Sequence, residues 1–466
     1  MKKFWNVFGW VSVDILWKFD TMKNSAKINS YTMEFTGKNI AIIGFGREWA
    51  STLTYLLDRW ITPGSITVLD KNSTTIVPEG IMKVLWENYL DHLDQYDVLI
   101  GSPGISPYLP KIAPYRTRLT SQSAIFFERY RWKVIGVTAT KGKSTTSTLI
   151  AEMIRSAWFS VEFVGNIGKP VLDCIDFDHP PEYVVYELSS YMLEYCRPRC
   201  HVAVLGNIYP DHLGYHEDFE NYRDAKLSIL QNTTYRVIGS QAQEYLAEIP
   251  PQTTIIPDPD GYHIQEAELY RWDTFLIKSS DIQLIGEHNA RNILSVFAVG
   301  HILGISTEII RKTCSAFRGL PHRLENVWTF GWITFYDDAI STTPESTIAG
   351  IIALDGRVDT IFLGGEDRWY DFMELVKVLE REEIHNIVLF PDTGTRILPL
   401  LDPEKFRIFE TRSMENAVAF AFEQTQPWMI CLLSTASPSY SLWKNFEEKW
   451  DLFQKYVCSN KIISNE

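Results

Sequence analysis

Glycine is scarce in this chain. There are 26 in 466 residues, about 5.6% where about 7% is usual. Fifteen tryptophans accompany them, an odd ratio taken up below. Cysteine is scarce too. The six (Cys174, Cys196, Cys200, Cys314, Cys431 and Cys458) form no C-x-x-C pair and have no histidine at zinc-finger spacing. That argues for reduced thiols in a cytosolic protein and against a disulfide framework. Positive charge is outweighed, 44 Lys and Arg against 58 Asp and Glu, for a net charge of -14. Such a balance speaks against non-specific nucleic-acid binding but leaves room for a local phosphate pocket. No run is long and apolar enough to span a membrane. The N-terminal M-K-K-F-W-N-V-F-G-W begins like a signal peptide, but Asp14 interrupts its apolar stretch and no small-x-small cleavage site follows. Residues 1–32 therefore read as a non-native or disordered extension, with Met33 as the start.

From residue 39 strand and helix patterns alternate, the rhythm of a parallel sheet. N-I-A-I-I-G is a strand, followed by a helix from Gly46 to about Arg59. Further strands are S-I-T-V-L-D (65–70) and D-V-L-I-G-S-P-G (97–104). A second unit opens at K-V-I-G-V-T-A-T-K-G-K-S-T (133–145) and closes with a helix near 288–303. A third follows G-L-P-H-R-L-E (319–325). The fold expected is α/β in three domains: a Rossmann-like N-terminal domain (33–130), a central P-loop ATPase domain with a parallel sheet (131–319), and a Rossmann-like C-terminal domain (320–466).

The strand–loop–helix at 133–145 carries the strongest chemistry. Backbone N–H groups at the helix start cradle phosphate, Lys143 adds a point charge and Ser144 offers a hydroxyl to Mg²⁺. Five residues separate Gly136 from Gly142, one more than the usual P-loop spacing allows. A-T-K-G-K-S-T instead resembles the loop of the Mur and folyl-polyglutamate ligases, with Ala139 where those families have glycine. Alone, E-L-S-S at 187–190, D-H-L-G-Y-H at 211–216 and Lys226 are each more often structural than functional. Together they resemble the Mur ligase metal site, although Gly214 stands where relatives commonly have Asp. The resemblance implies two Mg²⁺ ions held by Ser144, Glu187, His212 and Lys226. Lys226 would carry a CO₂-derived carbamate, which turns a cation into an oxygen donor suited to Mg²⁺.

The resemblance runs from about residue 34 to 460 and implies the remaining contacts. ATP would meet Thr140, Lys141, Gly142, Lys143, Ser144, Thr145, Asn289, Asn292, Arg323 and Asp338. Asn289 and Asn292 lie three apart on one helix face. The UDP end of the substrate would meet Gly44, Gly46, Asp70, Ser102, Gly104, Asn166 and His212. F-R-G-L-P-H-R-L-E-N-V (317–327) is similar to the hinge of the muramoyl-alanine:glutamate ligases, with His322 and Arg323 at the shared positions. Glutamate would meet Thr342, Arg368, Ser439 and Phe446. The catalytic residues implied are Lys143, Glu187, His212, Lys226 and Arg323. They would serve an acyl-phosphate route that joins UDP-N-acetylmuramoyl-L-alanine to glutamate, most simply D-glutamate, in peptidoglycan precursor synthesis. A cytoplasmic monomer that binds neither nucleic acid nor membrane is implied. Asp338 matches the family's nucleotide-ribose aspartate, and Ile340 replaces the lysine two residues after it, which leaves an L-glutamate-adding variant open. A nucleotide-binding scaffold without activity also stays open, as does the dinucleotide-dependent oxidoreductase suggested by Gly44 and Gly46.

The tryptophans collect where glycines belong. Trp49 takes the third glycine of a G-x-G-x-x-G loop, a position that lets helix and strand pack closely. Trp60 and Trp158 follow helix ends, where left-handed backbone and glycine are the rule. By resemblance Trp132, Trp328, Trp332, Trp369, Trp428 and Trp450 also replace glycines, and Trp86 is a further candidate. Trp443 does not, since relatives carry an aromatic there. Left-handed geometry costs a bulky residue roughly 1–2 kcal/mol and overpacking about 1–3. Nine or ten such sites rival a whole domain's stability of about 5–15 kcal/mol. The pattern predicts glycine at these positions in the cell, encoded by UGA codons that some bacteria read as glycine. The competing reading is a drifted ligase with real tryptophans.

Overall fold

The computed structural model describes residues 35–459 apart from 45–47, 59–60, 74, 131–132, 168, 175–178, 285, 321, 331, 368 and 440. The 1–32 extension, Gly46, Trp60, Trp132 and Arg368 therefore lie outside the described residues. The chain divides into two compact units. One comprises 1–277 with 291–313, the other 278–290 with 314–466.

The first unit holds two parallel sheets. In the first sheet β1 (Ile40–Ile43), β2 (Ile66–Asp70), β3 (Met82–Leu85), β4 (Val98–Gly101) and β5 (Leu119–Thr120) lie in the order 3-2-1-4-5. Ile40 pairs with Ile66 on one side and Val98 on the other. Every residue of β1 and β2 is buried, as expected of strands covered on both faces. α1 (Trp49–Leu57) follows β1. The second sheet orders β6 (Val134–Thr138), β7 (Val161–Gly165), β8 (Tyr183–Glu187), β9 (Val202–Leu205), β10 (Tyr235–Gly239) and β11 (Thr253–Ile256) as 11-10-9-6-8-7. With β6 central, its C-terminal end opens at the point where strand order reverses, the usual binding edge of such sheets. α2 (Lys143–Ser156), α3 (Ser190–Tyr195) and α4 (Phe219–Leu227) follow β6, β8 and β9. A three-stranded sheet of β12 (Tyr262–Gln265), β13 (Glu268–Arg271) and β14 (Thr274–Lys278) comes next, then α5 (Glu287–Ile302). The alternation at 262–278 is short and half-polar, so nothing at sequence level separated this sheet from loop.

The second unit is built on β15 (Glu325–Phe330), β16 (Ile333–Asp337), β17 (Val358–Gly364), β18 (Asn386–Phe390), β19 (Arg407–Glu410) and β20 (Ile430–Leu433), in the order 15-16-20-17-18-19. β15 runs antiparallel to β16, and the neighbouring pairs from β16 onward are parallel. α6 (Pro344–Ala353) and α7 (Phe446–Ser459) belong to this unit. Gly364 and Gly365 take φ of 116° and 150°. A Cβ on Gly364 would meet the Phe390 carbonyl oxygen at 2.0 Å, so only glycine fits that strand end.

Six tryptophans also sit on left-handed backbone: Trp86 (φ 86°), Trp158 (66°), Trp272 (51°), Trp332 (79°), Trp369 (60°) and Trp428 (72°). Trp49 instead starts α1, Trp328 lies within β15 at a register shift, and Trp450 lies within α7.

Candidate active site

The loop from β6 to α2 turns at Gly142, whose φ is 86°. A Cβ there would come within 2.6 Å of Asn292 Oδ1, so Asn292 stands directly over the phosphate loop. Asn289 lies one turn earlier on α5. Lys143 Nζ folds back to donate to the Ala139 carbonyl at 2.8 Å and that of Thr140 at 3.1 Å. Lys141 is half exposed, 3.7 Å from the Asp211 carboxylate. The Thr140 hydroxyl is engaged internally, with Tyr222 Oη at 2.8 Å and the Tyr209 N–H donating to it at 2.9 Å. It ties the loop after β9 to the phosphate loop, and Thr145 is buried behind it.

Glu187 ends β8 with no exposed surface. A buried carboxylate must be satisfied, and here three side chains donate to it. Ser144 Oγ reaches Oε1 at 3.2 Å, Ser147 Oγ reaches Oε2 at 3.2 Å, and Asn166 Nδ2 reaches Oε1 at 2.9 Å. Ser147 is absent from the residues singled out in the sequence. Its place one turn after Ser144 on the same helix face was the available signal.

Lys226 is equally buried, on α4. Its Nζ donates to the Ala139 carbonyl at 2.8 Å and weakly to Thr138 Oγ1 at 3.4 Å. Burial, and then the neighbouring Lys143 charge, push its pKa well below the usual lysine range, with Asp211 and Glu187 acting the other way. His212 Nδ1 lies 3.0 Å from Tyr191 Oη. Burial lowers the His212 pKa, opposed by Asp211, while Lys143, Lys226 and Lys141 lower it further. Lys143, Lys226, Glu187 and His212 thus share one electrostatic neighbourhood.

Beside this cluster, still within the first unit, is a cavity of about 480 Å³. Gly44, Asp70, Ser102, Gly104 and Asn166 all line it, five residues expected at the UDP end of the substrate. His212 adjoins it through Tyr191, which also lines it. Ser102 Oγ donates to the Gly44 carbonyl at 2.7 Å and ties the β4 end to the glycine turn. Glu48 faces the same cavity and was not foreseen. Its Oε2 is buried without a hydrogen-bond partner among the described residues, and burial raises its pKa to about 7.

In the second unit His322 Nδ1 pairs with Asp337 Oδ2 at 2.9 Å. Asp338 is buried, accepts from Ser434 Oγ at 2.8 Å, and is raised to about 6 by burial. Arg323 lies close enough to lower the Asp338 pKa, and its own Nε is buried without a partner. Ser439 Oγ is likewise buried with no partner among the described residues, and Thr342 is half-buried. Phe446 opens α7, while its side chain falls outside the described residues. A cavity of about 210 Å³ lies near the ends of β18 and β19, and neither Thr342 nor Ser439 lines it. Lys449, also unforeseen, is fully buried, donates to Thr435 Oγ1 at 2.7 Å, and is lowered by burial to about 7.

The profile of the Mur ligase middle domain matches residues 137–300, which include the phosphate loop, Glu187, His212 and Lys226. The chain is 30% identical to the UDP-N-acetylmuramoylalanine--D-glutamate ligase of Acetivibrio thermocellus, over 93% of this chain and 99% of that one. It is 29% identical to the UDP-N-acetylmuramoyl-L-alanine--L-glutamate ligase of Xanthomonas oryzae pv. oryzae, over 89% and 93%. In fold it is similar to the crystal structure of a MurF ligase from Thermotoga maritima in complex with ADP. That match has a TM-score of 0.56 at 15% identity, covering 92% of this chain and 97% of that one. Likeness of this extent along nearly the whole length has one meaning: the chain belongs to the Mur ligase family of ATP-dependent, amide-bond-forming enzymes.

Proposed function

We propose that the protein adds glutamate to UDP-N-acetylmuramoyl-L-alanine at the expense of ATP, in peptidoglycan precursor synthesis. One observation carries the chemistry. A fully buried glutamate, held by the phosphate-loop serine, stands near a buried lysine amine whose hydrogen bonds among the described residues go to Ala139 and Thr138 and to no carboxylate. The residues fit Mg²⁺ and a carbamate. Ser144 and Glu187 offer hard oxygens and His212 a ring nitrogen. Burial keeps the Lys226 amine toward its neutral form, the form that captures CO₂. Ser144, Glu187, His212 and carbamylated Lys226 would hold two ions. Bound Mg²⁺ neutralises charge on the phosphoryl oxygens.

The chain's own residues have simple duties. The 480 Å³ cavity takes the UDP end of the substrate. Lys143 and Arg323 bring charge to the ATP phosphates, and Asn289, Asn292 and Asp338 hold the nucleoside. The alanyl carboxylate attacks the γ-phosphate and displaces ADP, and the glutamate amine then attacks the resulting acyl phosphate, loses a proton and expels phosphate to leave the amide. Thr342, Arg368, Ser439 and Phe446 receive glutamate. Residues 33–130, 131–319 and 320–466 divide these tasks in order.

The test is phosphate release in the presence of ATP, UDP-N-acetylmuramoyl-L-alanine and either glutamate isomer. Release dependent on all three, faster with D-glutamate, is the expected result. Its absence with both isomers overturns the reading. Ile340, in place of a lysine that would meet an anion, favours the second reading, addition of L-glutamate. A faster rate with that isomer would establish it.

A further inference from the structure

Trp86, Trp158, Trp272, Trp332, Trp369 and Trp428 share two properties that tryptophan rarely has. All take positive φ, a region that only a few per cent of non-glycine residues enter. Three of them, at 86°, 79° and 72°, lie beyond even the usual left-handed window for L-residues. All six are also exposed, from 57% at Trp272 to 94% at Trp158, although tryptophan is on average a highly buried residue. Ten tryptophans are described, so six of ten occupy backbone suited to glycine.

Each site needs that backbone for a local reason. Trp158 follows the end of α2, and its N–H closes the helix on the Arg155 carbonyl at 2.9 Å, as a helix-terminating glycine does. Trp272 is the first residue of the two-residue link from β13 to β14, where positive φ calls for glycine. It was not among the positions marked by family likeness, so the backbone finds it independently. Trp332 and Trp428 are joined by a 2.6 Å hydrogen bond from the Trp428 N–H to the Trp332 carbonyl. Trp86 N–H donates to the Asp70 carbonyl at 3.0 Å, and Trp369 N–H to Asp367 Oδ1 at 2.8 Å. The indoles themselves find little: the Trp332 and Trp428 rings lean on each other, and Arg271 and Arg396 lie over Trp272 and Trp369.

Trp443 is the internal contrast. It is 6% exposed and packs edge-on against Phe390 at 5.0 Å, and its φ is not positive. One residue type therefore behaves in two ways within one chain, which two different codons, both translated here as tryptophan, explain. We infer that Trp86, Trp158, Trp272, Trp332, Trp369 and Trp428 are glycines in the protein its host makes, encoded by UGA, while Trp443 is tryptophan encoded by UGG.

The test is the mass of peptides from native protein isolated from its own host, covering the six positions and Trp443. Glycine masses at the six and a tryptophan mass at 443 are expected, with UGA and UGG at the matching codons of the gene. Tryptophan masses at the six overturn the inference, and so does glycine at 443. A second measurement needs no host. The chain with all fifteen tryptophans is compared with a variant carrying Trp→Gly at the six positions. The variant's thermal midpoint should rise by roughly ten degrees or more. An equal or lower midpoint overturns the inference. Neither result depends on whether the protein ligates glutamate.

Discussion

At the scale of single residues, the buried ionisable groups make the clearest predictions. Glu48 has a folded pKa of about 7 against 4.5 for an ordinary glutamate, and burial is the cause. The folded protein thus binds this proton more tightly than the unfolded chain. Its stabilising share is complete below pH 4.5 and disappears as pH rises through 7. That share is about 3 kcal/mol. The urea midpoint should fall between pH 5 and 7.5, and Glu48→Gln should flatten the profile. A flat profile in the unmutated protein would refute this. Lys226 yields a different prediction. If its amine carries CO₂, phosphate release should fall when bicarbonate is stripped and recover when it returns. Lys226→Ala should lose about 100-fold or more in kcat and ignore bicarbonate. Activity in the unmutated enzyme that is indifferent to bicarbonate would argue for a plain lysine.

At the scale of elements, the phosphate loop was legible because its parts are local. An apolar strand, a glycine, a lysine and a serine follow one another within ten residues, and the structure turns as they require. Glu187 was legible only by likeness, because three of its neighbours arrive from β6–α2 and the β7 end. Ser147 was passed over for the same reason, as its role exists only once β8 lies beside α2. Elements built from half-polar residues, such as β3 and β12–β14, carry too weak an alternation to be seen. Gly142→Ala tests the loop directly. It places a Cβ against Asn292 at 2.6 Å on left-handed backbone. It should destabilise the protein by about 1–2 kcal/mol and raise the KM for ATP by about tenfold. An unchanged KM would mean that nucleotide does not approach Gly142.

At the scale of the whole molecule, the order of strands and helices announced parallel sheets, and the structure has two of them and a third with one antiparallel edge strand. Only family likeness, and no local pattern, marked the gathering of Gly44, Asp70, Ser102, Gly104 and Asn166 around one cavity, since 122 residues separate the first from the last. UDP-N-acetylmuramoyl-L-alanine at about 100 times its Kd should stabilise the protein by about 2.7 kcal/mol. Hydrogen exchange should slow chiefly around Gly44–Ile105 and Gly165–Met192. Slowing confined to the second unit would remove the cavity from the substrate path. The contrast between Trp443 and the exposed indoles has an optical consequence. A chain whose six left-handed positions are glycine loses the most water-facing of its described tryptophans. The summed emission of the chain then shifts to the blue, toward that of the ring shielded by Phe390, and becomes a built-in reporter of melting in the second unit. Made with all fifteen tryptophans, the protein should glow at longer wavelength, and its colour should change little on unfolding.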